Sequence, residues 1–130
     1  MDLQFKDTMN KEIRLDFGTF VVLEEGIMES VADEGLDISV EQVDEMIALY
    51  REHKIDYVLA NRKNSYSFSF AASVKIATSK GVKAVAILKH RPQTPMLDKL
   101  LSPRHFKVAI FDDRDEALAW LRAKKAKNND

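Results

Sequence analysis

The sequence predicts a single α/β domain over residues 1–130, with a mixed, mostly parallel sheet, an N-terminal hairpin and four helices. Two observations predict this class. Near the N-terminus, apolar residues alternate with charged ones, as in half-buried antiparallel strands. From Ile55 onward, three short apolar runs are each followed by a helical pattern, which is typical of parallel strands joined by helices. A chain of 130 residues can bury a sizeable core without metal or disulfide.

Three strands are predicted before residue 36. A hairpin spans residues 12–23, on either side of Gly18-Thr19, and a third strand at 27–31 leads to an acidic turn. Residues 1–10 are expected to fray. A sheet of this kind leaves an edge strand, and the N-terminal segment carries few charges to prevent edge pairing, so a homodimer is expected. The residues on which the dimer prediction depends are Phe17, Phe20, Val21 and Val22.

The first helix is predicted from Ser39 to about His53. Ser39 and Gln42 have the spacing of a capping box, in which each side chain bonds the backbone of the other. Apolar residues then recur at i, i+3, i+4 and i+7, which indicates one face turned to the core. Those residues are Val43, Met46, Ile47 and Tyr50.

A strand, a polar connection and a second helix are predicted between residues 55 and 79. Residues 55–60 are almost all apolar, as in a strand that is buried on both faces. Residues 61–67 interrupt the pattern, and Ser67 or Ser69 is the expected N-cap of the helix. Gly81 is the expected left-handed stop. The core face of this helix is predicted to be Phe70, Val74 and Ala77.

Two further strand and helix units complete the chain. Strands are predicted at 82–88 and from His105 or Phe106 to Phe111. Between them, Thr94 and Pro95 should open a short helix that Pro103 ends. Asp113 and Glu116 have capping-box spacing and should open the last helix, which is expected to fray over 125–130.

Composition and charge exclude several classes of protein. Lys and Arg number 20 against 21 Asp and Glu, so no long-range positive field would recruit nucleic acid or an anionic membrane. There is no Cys, and the three His lack metal-ligand spacing, so no metal site is predicted. No apolar run reaches membrane length and the first residues lack the features of a leader. A cytoplasmic protein without a cofactor is expected.

A hydrolytic triad is a weaker interpretation. His53, His90 or His105 could combine with a serine and with Asp56 or Asp112. However, no glycine-rich nucleophile elbow precedes any serine. No catalytic residue is therefore predicted, and the chain is interpreted as a non-enzyme.

The polar connection carries a family resemblance. Asn61-Arg62-Lys63-Asn64-Ser65-Tyr66-Ser67 resembles an Asn-Arg-x-Asn-Ser-Tyr-Ser signature in uncharacterised bacterial proteins described as STAS-like or SpoIIAA-like. Two further stretches are similar to the same group: Gly18-Thr19-Phe20, and Phe111-Asp112-Asp113 with Glu116-Ala117-Leu118-Ala119-Trp120-Leu121. Over nearly its whole length the chain resembles the STAS domain of the anti-sigma-factor antagonists.

The resemblance implies a regulatory module whose partner binding is switched by phosphorylation. In the antagonists a serine at the start of the second helix, in Asp-Ser-Ser-Gly, is phosphorylated by a partner kinase. Ser65, Ser67 or Ser69 matches in place, although the local sequence here is Ser67-Phe68-Ser69-Phe70. A phosphate there would be favoured by free N–H groups and the helix dipole. The alternative is that these serines only cap the helix and turn the chain.

Three loops are predicted to form one binding site. The carboxyl ends of parallel strands share a rim, so the loops after Ala60, Leu88 and Phe111 should lie together. Their polar and basic groups predict a site for an anionic ligand or for an acidic segment of a partner, unless they are merely solvated loop ends. The predicted binding residues are Asn61, Arg62, Lys63, Asn64, Ser65, Tyr66, Ser67, Lys89, His90 and Arg91.

Two functions remain open from the sequence. The first is a non-enzymatic regulatory or protein-interaction module that resembles the antagonists. The second is a carrier or sensor of a small apolar or anionic ligand, held between the helices and the sheet by analogy with related folds. The sequence alone does not separate them.

Overall fold

The fold is a twisted sheet with helices on both faces. The computed structural model describes residues 11–79, 81–90 and 106–128. The strands are β1 (Glu12–Leu15), β2 (Gly18–Glu24), β3 (Ile27–Ala32), β4 (Asp37–Ile38), β5 (Tyr57–Arg62), β6 (Ser67–Phe68), β7 (Ala84–Lys89) and β8 (Lys107–Phe111). The helices are α1 (Val40–Glu52), α2 (Phe70–Thr78) and α3 (Arg114–Asn128).

The sheet is mixed and mostly parallel, as predicted. Six strands lie in the order β1-β2-β3-β5-β7-β8, while β4 and β6 form a separate short parallel pair. The pairs β1–β2 and β2–β3 are antiparallel, and β3, β5, β7 and β8 are parallel to their neighbours. The described residues hold three helices. The fourth predicted helix, which would open at Thr94 and Pro95, lies outside them.

Neighbouring residues of β5 point to opposite faces of the sheet. Leu59 is fully buried on one face, where it packs with Ala117 and Leu121 of α3. Val58 is buried on the other face, in a cluster with Tyr50 of α1. The continuous apolar run of this strand therefore reflects burial on both sides, as expected for a central strand.

The apolar residues of the N-terminal hairpin lie in the core and not on an exposed edge. Phe17, Phe20 and Val22 are at most 4 % exposed, and they pack beneath α1. The strand at this edge of the sheet is β1, and β2 is paired on both sides. Among the described residues β2 therefore has no free edge, and the homodimer stays a prediction.

Local hydrogen bonds cap both ends of helix α1. The Ser39 hydroxyl accepts from the Gln42 N–H at 3.2 Å, and the Gln42 side chain accepts from the Ser39 N–H at 3.0 Å. The predicted capping box is confirmed. At the other end Lys54 adopts a left-handed φ of 55°, and the Ile55 N–H returns to the Tyr50 carbonyl at 2.8 Å. This is a Schellman stop made without glycine.

Helix α2 is rotated relative to the prediction. Phe70 is 77 % exposed and Val74 is 46 % exposed, whereas Ala72 is fully buried and Ser73 is nearly so. The β4–β6 pair determines this rotation, because it holds the chain up to Ser69, whose N–H donates to Ile38 and whose hydroxyl caps the Ala72 N–H. The assignment of Phe70 and Val74 to the core is therefore wrong.

The predicted C-terminal end of α2 also needs correction. Helix α2 stops at Thr78 with Ser79 in an extended conformation, and Gly81 does not adopt a positive φ. At the start of α3, the Asp113 side chain accepts from the Asp115 N–H at 3.1 Å. Helix α3 extends to Asn128. None of the described helices is both long enough and apolar enough to cross a membrane.

A side chain at Gly18 should weaken the hairpin. A Cβ there would lie 2.8 Å from the Val31 carbonyl oxygen and 3.2 Å from the Ala32 Cα, both backbone atoms of β3. We expect Gly18→Ala to lower the free energy of unfolding by about 1 to 2 kcal/mol through overpacking. Urea denaturation measures the loss. Gly81→Ala is the control, since no described atom would lie within 4 Å of its Cβ, and equal losses in both variants would contradict this explanation.

Candidate functional site

One part of the predicted rim is a polar network on the α3 face of the sheet. Asn61 donates from Nδ2 to Glu29 Oε2 at 2.8 Å, and its Oδ1 lies 2.8 Å from His90 Nε2. Arg114 binds both oxygens of Glu29, each at 2.7 Å. The structure thus brings Asn61 and His90 together as predicted, and it adds Glu29 and Arg114, which the sequence did not indicate.

Glu29 carries the negative charge of this network. Burial by itself would raise the pKa of Glu29, but the hydrogen bonds from Arg114 and Asn61 outweigh it and hold the pKa below the ordinary value of 4.5. The ion pair in turn raises the pKa of Arg114. At neutral pH the network is therefore an internally paired acid and base, and it leaves little net charge for an external anion.

Arg62 and Tyr66 lie on the other face of the sheet. Because consecutive residues of a strand alternate, Arg62 points away from the face that Asn61 occupies. Its guanidinium carbon is 4.3 Å from the centre of the Tyr66 ring, and its Nη2 donates to the Tyr66 carbonyl at 3.0 Å. The predicted single site is therefore divided between two faces.

The remaining polar residues of the 61–67 connection build the loop itself. The Asn64 side chain donates to the Ala32 carbonyl at 2.9 Å. The Ser65 N–H donates to a Glu34 carboxylate oxygen at 3.0 Å, and the Ser67 hydroxyl donates to Asp37 at 3.1 Å. With Ser69 engaged as the cap of α2, a phosphate on Ser65 or Ser67 would be added beside a carboxylate.

Of the three other basic residues of the predicted site, the structure describes Lys63 and Lys89, which lie in different environments. Lys89 is half-buried and lies directly beside Arg62 in the β5–β7 register, on the same face. Lys63 is exposed and favours the ionised form of Glu29 through its charge. Arg91 lies outside the described residues.

A groove of about 490 Å³ lies on the same face as Arg62, between the sheet and the helices α1 and α2. We call it the groove throughout. Its floor is apolar and is formed by β5, β7 and β8, and its walls are formed by the two helices and by β6. The apolar residues that line it include Val43, Met46, Ile47, Tyr50, Val58, Ala60, Tyr66, Phe68, Ile76, Val85, Ile87 and Val108.

Polar groups enter the groove at a few points. Arg62 lies where β5 ends, and Arg51 and Lys54 lie at the opposite end, near the last turn of α1. Burial raises the pKa of Tyr50, which is hydrogen-bonded to Ser30. Tyr66 is partly buried, and desolvation raises its pKa although the charge of Arg62 opposes the shift. Both phenols are therefore neutral at physiological pH.

No sequence motif marks the groove, but the face of the sheet on which Arg62 lies could have been predicted from the sequence. Had the strand been extended from Ala60 to Arg62, the two-residue period would have placed Asn61 and Arg62 on opposite faces. Arg62 would then share a face with Val58 and Ala60. No comparable local signal joins Glu29 to Arg114, which are 85 residues apart.

Two residues that a hydrolytic triad could use, His53 and Asp56, each lie beside a different charged neighbour. His53 lies 3.5 Å from the Glu52 carboxylate, and Asp56 lies 3.6 Å from the Lys83 ammonium group. His105 lies outside the described residues. Within the described ranges, no group of three or more His, Asp or Glu side chains could hold a metal ion.

Comparisons with protein-family models, with curated proteins and with solved structures find no match for this chain.

Proposed function

We propose that the protein is a non-enzymatic binding module that carries or senses a small amphipathic ligand. The observation that supports this most strongly is the groove. Its volume of about 490 Å³ falls within the range of roughly 300 to 1,000 Å³ that is common for small-molecule sites. Its lining is mostly apolar, with charged side chains at its ends, which suits a ligand with an apolar body and a polar head.

The two sides of the sheet differ in a way that favours this proposal. On one face α3 packs directly on the strands, with Ala117 and Leu121 fully buried against them. On the other face, among the described residues, α1 packs through Leu49 and Tyr50 over the N-terminal hairpin and over Val58 of β5. Over β5, β7 and β8 the groove separates the helices from the sheet. A ligand that covers this apolar surface removes it from water, which makes binding more favourable.

Filling the groove should abolish ligand binding. Ala60 lies on the groove floor, so Ala60→Phe would place a ring in the space of the ligand. We expect the affinity for dodecanol, measured by displacement of an apolar fluorescent probe, to fall about tenfold or more, since the larger side chain leaves no room for several methylene groups.

The matched control is Ala119→Phe. Ala119 is exposed on α3, on the opposite side of the molecule, so the same substitution there should leave dodecanol binding unchanged. Absence of dodecanol binding to the parent protein, or equal binding by Ala60→Phe and the parent, would reject the groove as a ligand site.

The second candidate is the regulatory protein-interaction module that the STAS resemblance implies, and one specific observation favours it. Phe70 and Val74 lie one turn apart on α2, and both are exposed. Exposed apolar side chains that lie together on a helix are typical of surfaces that bind another protein. Phosphorylation of Ser67 would place a charge beside Asp37, and repulsion between them would open the β4–β6 pair just before this helix.

Native mass spectrometry of protein purified from its host separates the two candidates. A carrier is expected to retain a small molecule with the mass of an amphiphile. A phosphorylation-switched module is expected to show a phosphate adduct that maps to Ser65, Ser67 or Ser69. A bare chain mass in every preparation would count against both.

A further inference from the structure

Arg62 lies at one end of the groove, with Lys89 beside it on the next strand, and the described part of the chain shows no carboxylate partner for either residue. Arg62 is half-buried, its Nη2 donates to the Tyr66 carbonyl, and its guanidinium lies over the Tyr66 ring. Lys89 is its direct neighbour across the β5–β7 pair. Adjacent strands are about 4.8 Å apart, so two positive residues stand side by side here, and an anion bound near them would reduce their repulsion.

Two basic residues of the helices, Arg114 of α3 and Lys75 of α2, have acidic partners. Arg114 is bound on both nitrogens by Glu29 on the opposite face. Lys75 of α2 lies 3.2 Å from Asp44 of α1. Arg62 therefore differs from them in pointing into an apolar space without a counter-charge among the described residues. Tyr66 does not neutralise it, because burial keeps the phenol protonated.

We infer that the ligand of the groove is a single-chain alkyl carboxylate, whose carboxylate binds the Arg62 guanidinium and whose hydrocarbon chain lies along the apolar floor toward Ile87. This inference rests on the proposed function and adds the ligand class and the residue that recognises it. A guanidinium presents a planar fork of N–H groups that matches a carboxylate in two parallel hydrogen bonds. Lys89 adds positive charge at the same end without the fork geometry.

The orientation follows from the two ends of the groove. At the far end Arg51 and Lys54 are exposed, so water solvates them and they add little to the binding of an anion. Arg62 is partly shielded from water, and an ion pair there is screened less. The carboxylate is therefore at the Arg62 end.

The experiment compares dodecanoate with dodecanol, below the micelle concentration, by isothermal titration or probe displacement. The parent protein should bind dodecanoate about 10- to 100-fold more tightly than the alcohol, as hydrogen bonds to a charged group allow. Arg62→Gln should remove this preference and leave dodecanol affinity unchanged. Arg62→Lys should restore part of it, and Arg51→Gln, at the other end, should have no effect.

The outcomes separate failure of this inference from failure of the proposed function. If the parent binds neither compound, the groove is not a ligand site and both ideas are rejected. If it binds both equally, or if Arg62→Gln leaves the preference intact, the groove stands and the role of Arg62 is overturned. Tighter binding of dodecyl phosphate than of dodecanoate would overturn the choice of carboxylate. The acid and alcohol comparison on the parent protein remains decisive even if Arg62→Gln fails to fold.

Discussion

Replacing Phe20 by alanine should lower the free energy of unfolding by about 3 to 5 kcal/mol, which is much of the stability of a small domain. Phe20 is 2 % exposed. Its ring meets Phe17 edge-on with 6.0 Å between centroids, and it meets Tyr50 with 6.3 Å between centroids. The side chain therefore joins the N-terminal hairpin to α1, and its truncation would leave a cavity that several rigid elements border.

The control for this prediction is the same substitution at an exposed phenylalanine. Phe70 is 77 % exposed, so Phe70→Ala should change the free energy of unfolding by no more than about 0.5 kcal/mol. Urea denaturation followed by circular dichroism measures both variants. A larger loss at Phe70 than at Phe20 would contradict the observed rotation of α2 and would restore the core face predicted from the sequence.

Replacing Arg114 by alanine should cost about 2 kcal/mol at neutral pH, because it leaves the Glu29 carboxylate without its charged partner. The Glu29 side chain is 12 % exposed, whereas the Arg114 side chain is 42 % exposed, so water screens part of the interaction. The expected loss is therefore smaller than for a fully buried pair. The Asn61 amide still donates to Glu29 in the variant and limits the loss further.

The cost of Arg114→Ala should depend on pH. In the parent the pKa of Glu29 is lower in the folded state than the ordinary value of 4.5. Its ionised form therefore stabilises the fold above about pH 4.5, and this stabilisation is lost as the pH falls through the folded-state pKa. Without Arg114, burial should raise the pKa of Glu29, so the difference between variant and parent is largest at pH 7 and shrinks as Glu29 is protonated.

Two measurements test this explanation. Urea denaturation from pH 3 to pH 7 should show the two stability curves converging at the acid end. The double variant Arg114→Ala with Glu29→Gln should recover part of the loss at pH 7, since it removes the unpaired charge. Parallel curves at all pH values, with no recovery in the double variant, would show that Arg114 acts through packing alone.

Predictions that depend on short stretches of sequence agree with the structure. The capping box was predicted because Gln42 follows Ser39 by three positions, and both of its hydrogen bonds are present. The apolar run of β5 predicted a strand that is buried on both faces, and Val58 and Leu59 are buried in separate clusters. Such patterns are readable because neighbouring side chains and backbone groups determine them.

Predictions that depend on the orientation of a whole element fail at α2. Phe70 and Val74 have helical spacing, but so do Ala72 and Ile76 one face away. The first pair looks more apolar in sequence, yet the short β4–β6 pair holds the helix so that Ala72 and Ile76 face α1. Small side chains such as Ala72 allow two helices to approach closely, which hydrophobicity alone does not indicate.

The candidate site shows the same limit. The common rim of parallel strand ends was predictable, and it brings Asn61 and His90 within 2.8 Å. The pairing of Glu29 with Arg114 was not predictable from the sequence. These two residues lie in different halves of the chain, and only the order of the strands brings them together. The groove is empty space between layers, so no residue type marks it in the sequence.

The sequence by itself determined the alternation of strands and helices, the cap of α1 and the burial of the central strand, because local spacing and hydrophobic period decide these features. Only the tertiary structure decided which face of α2 is buried, which acid pairs with Arg114, and that Asn61 and Arg62 serve opposite sides of the sheet. These features depend on contacts between distant segments, whose energies are summed over the whole fold and are not contained in any one stretch of the chain.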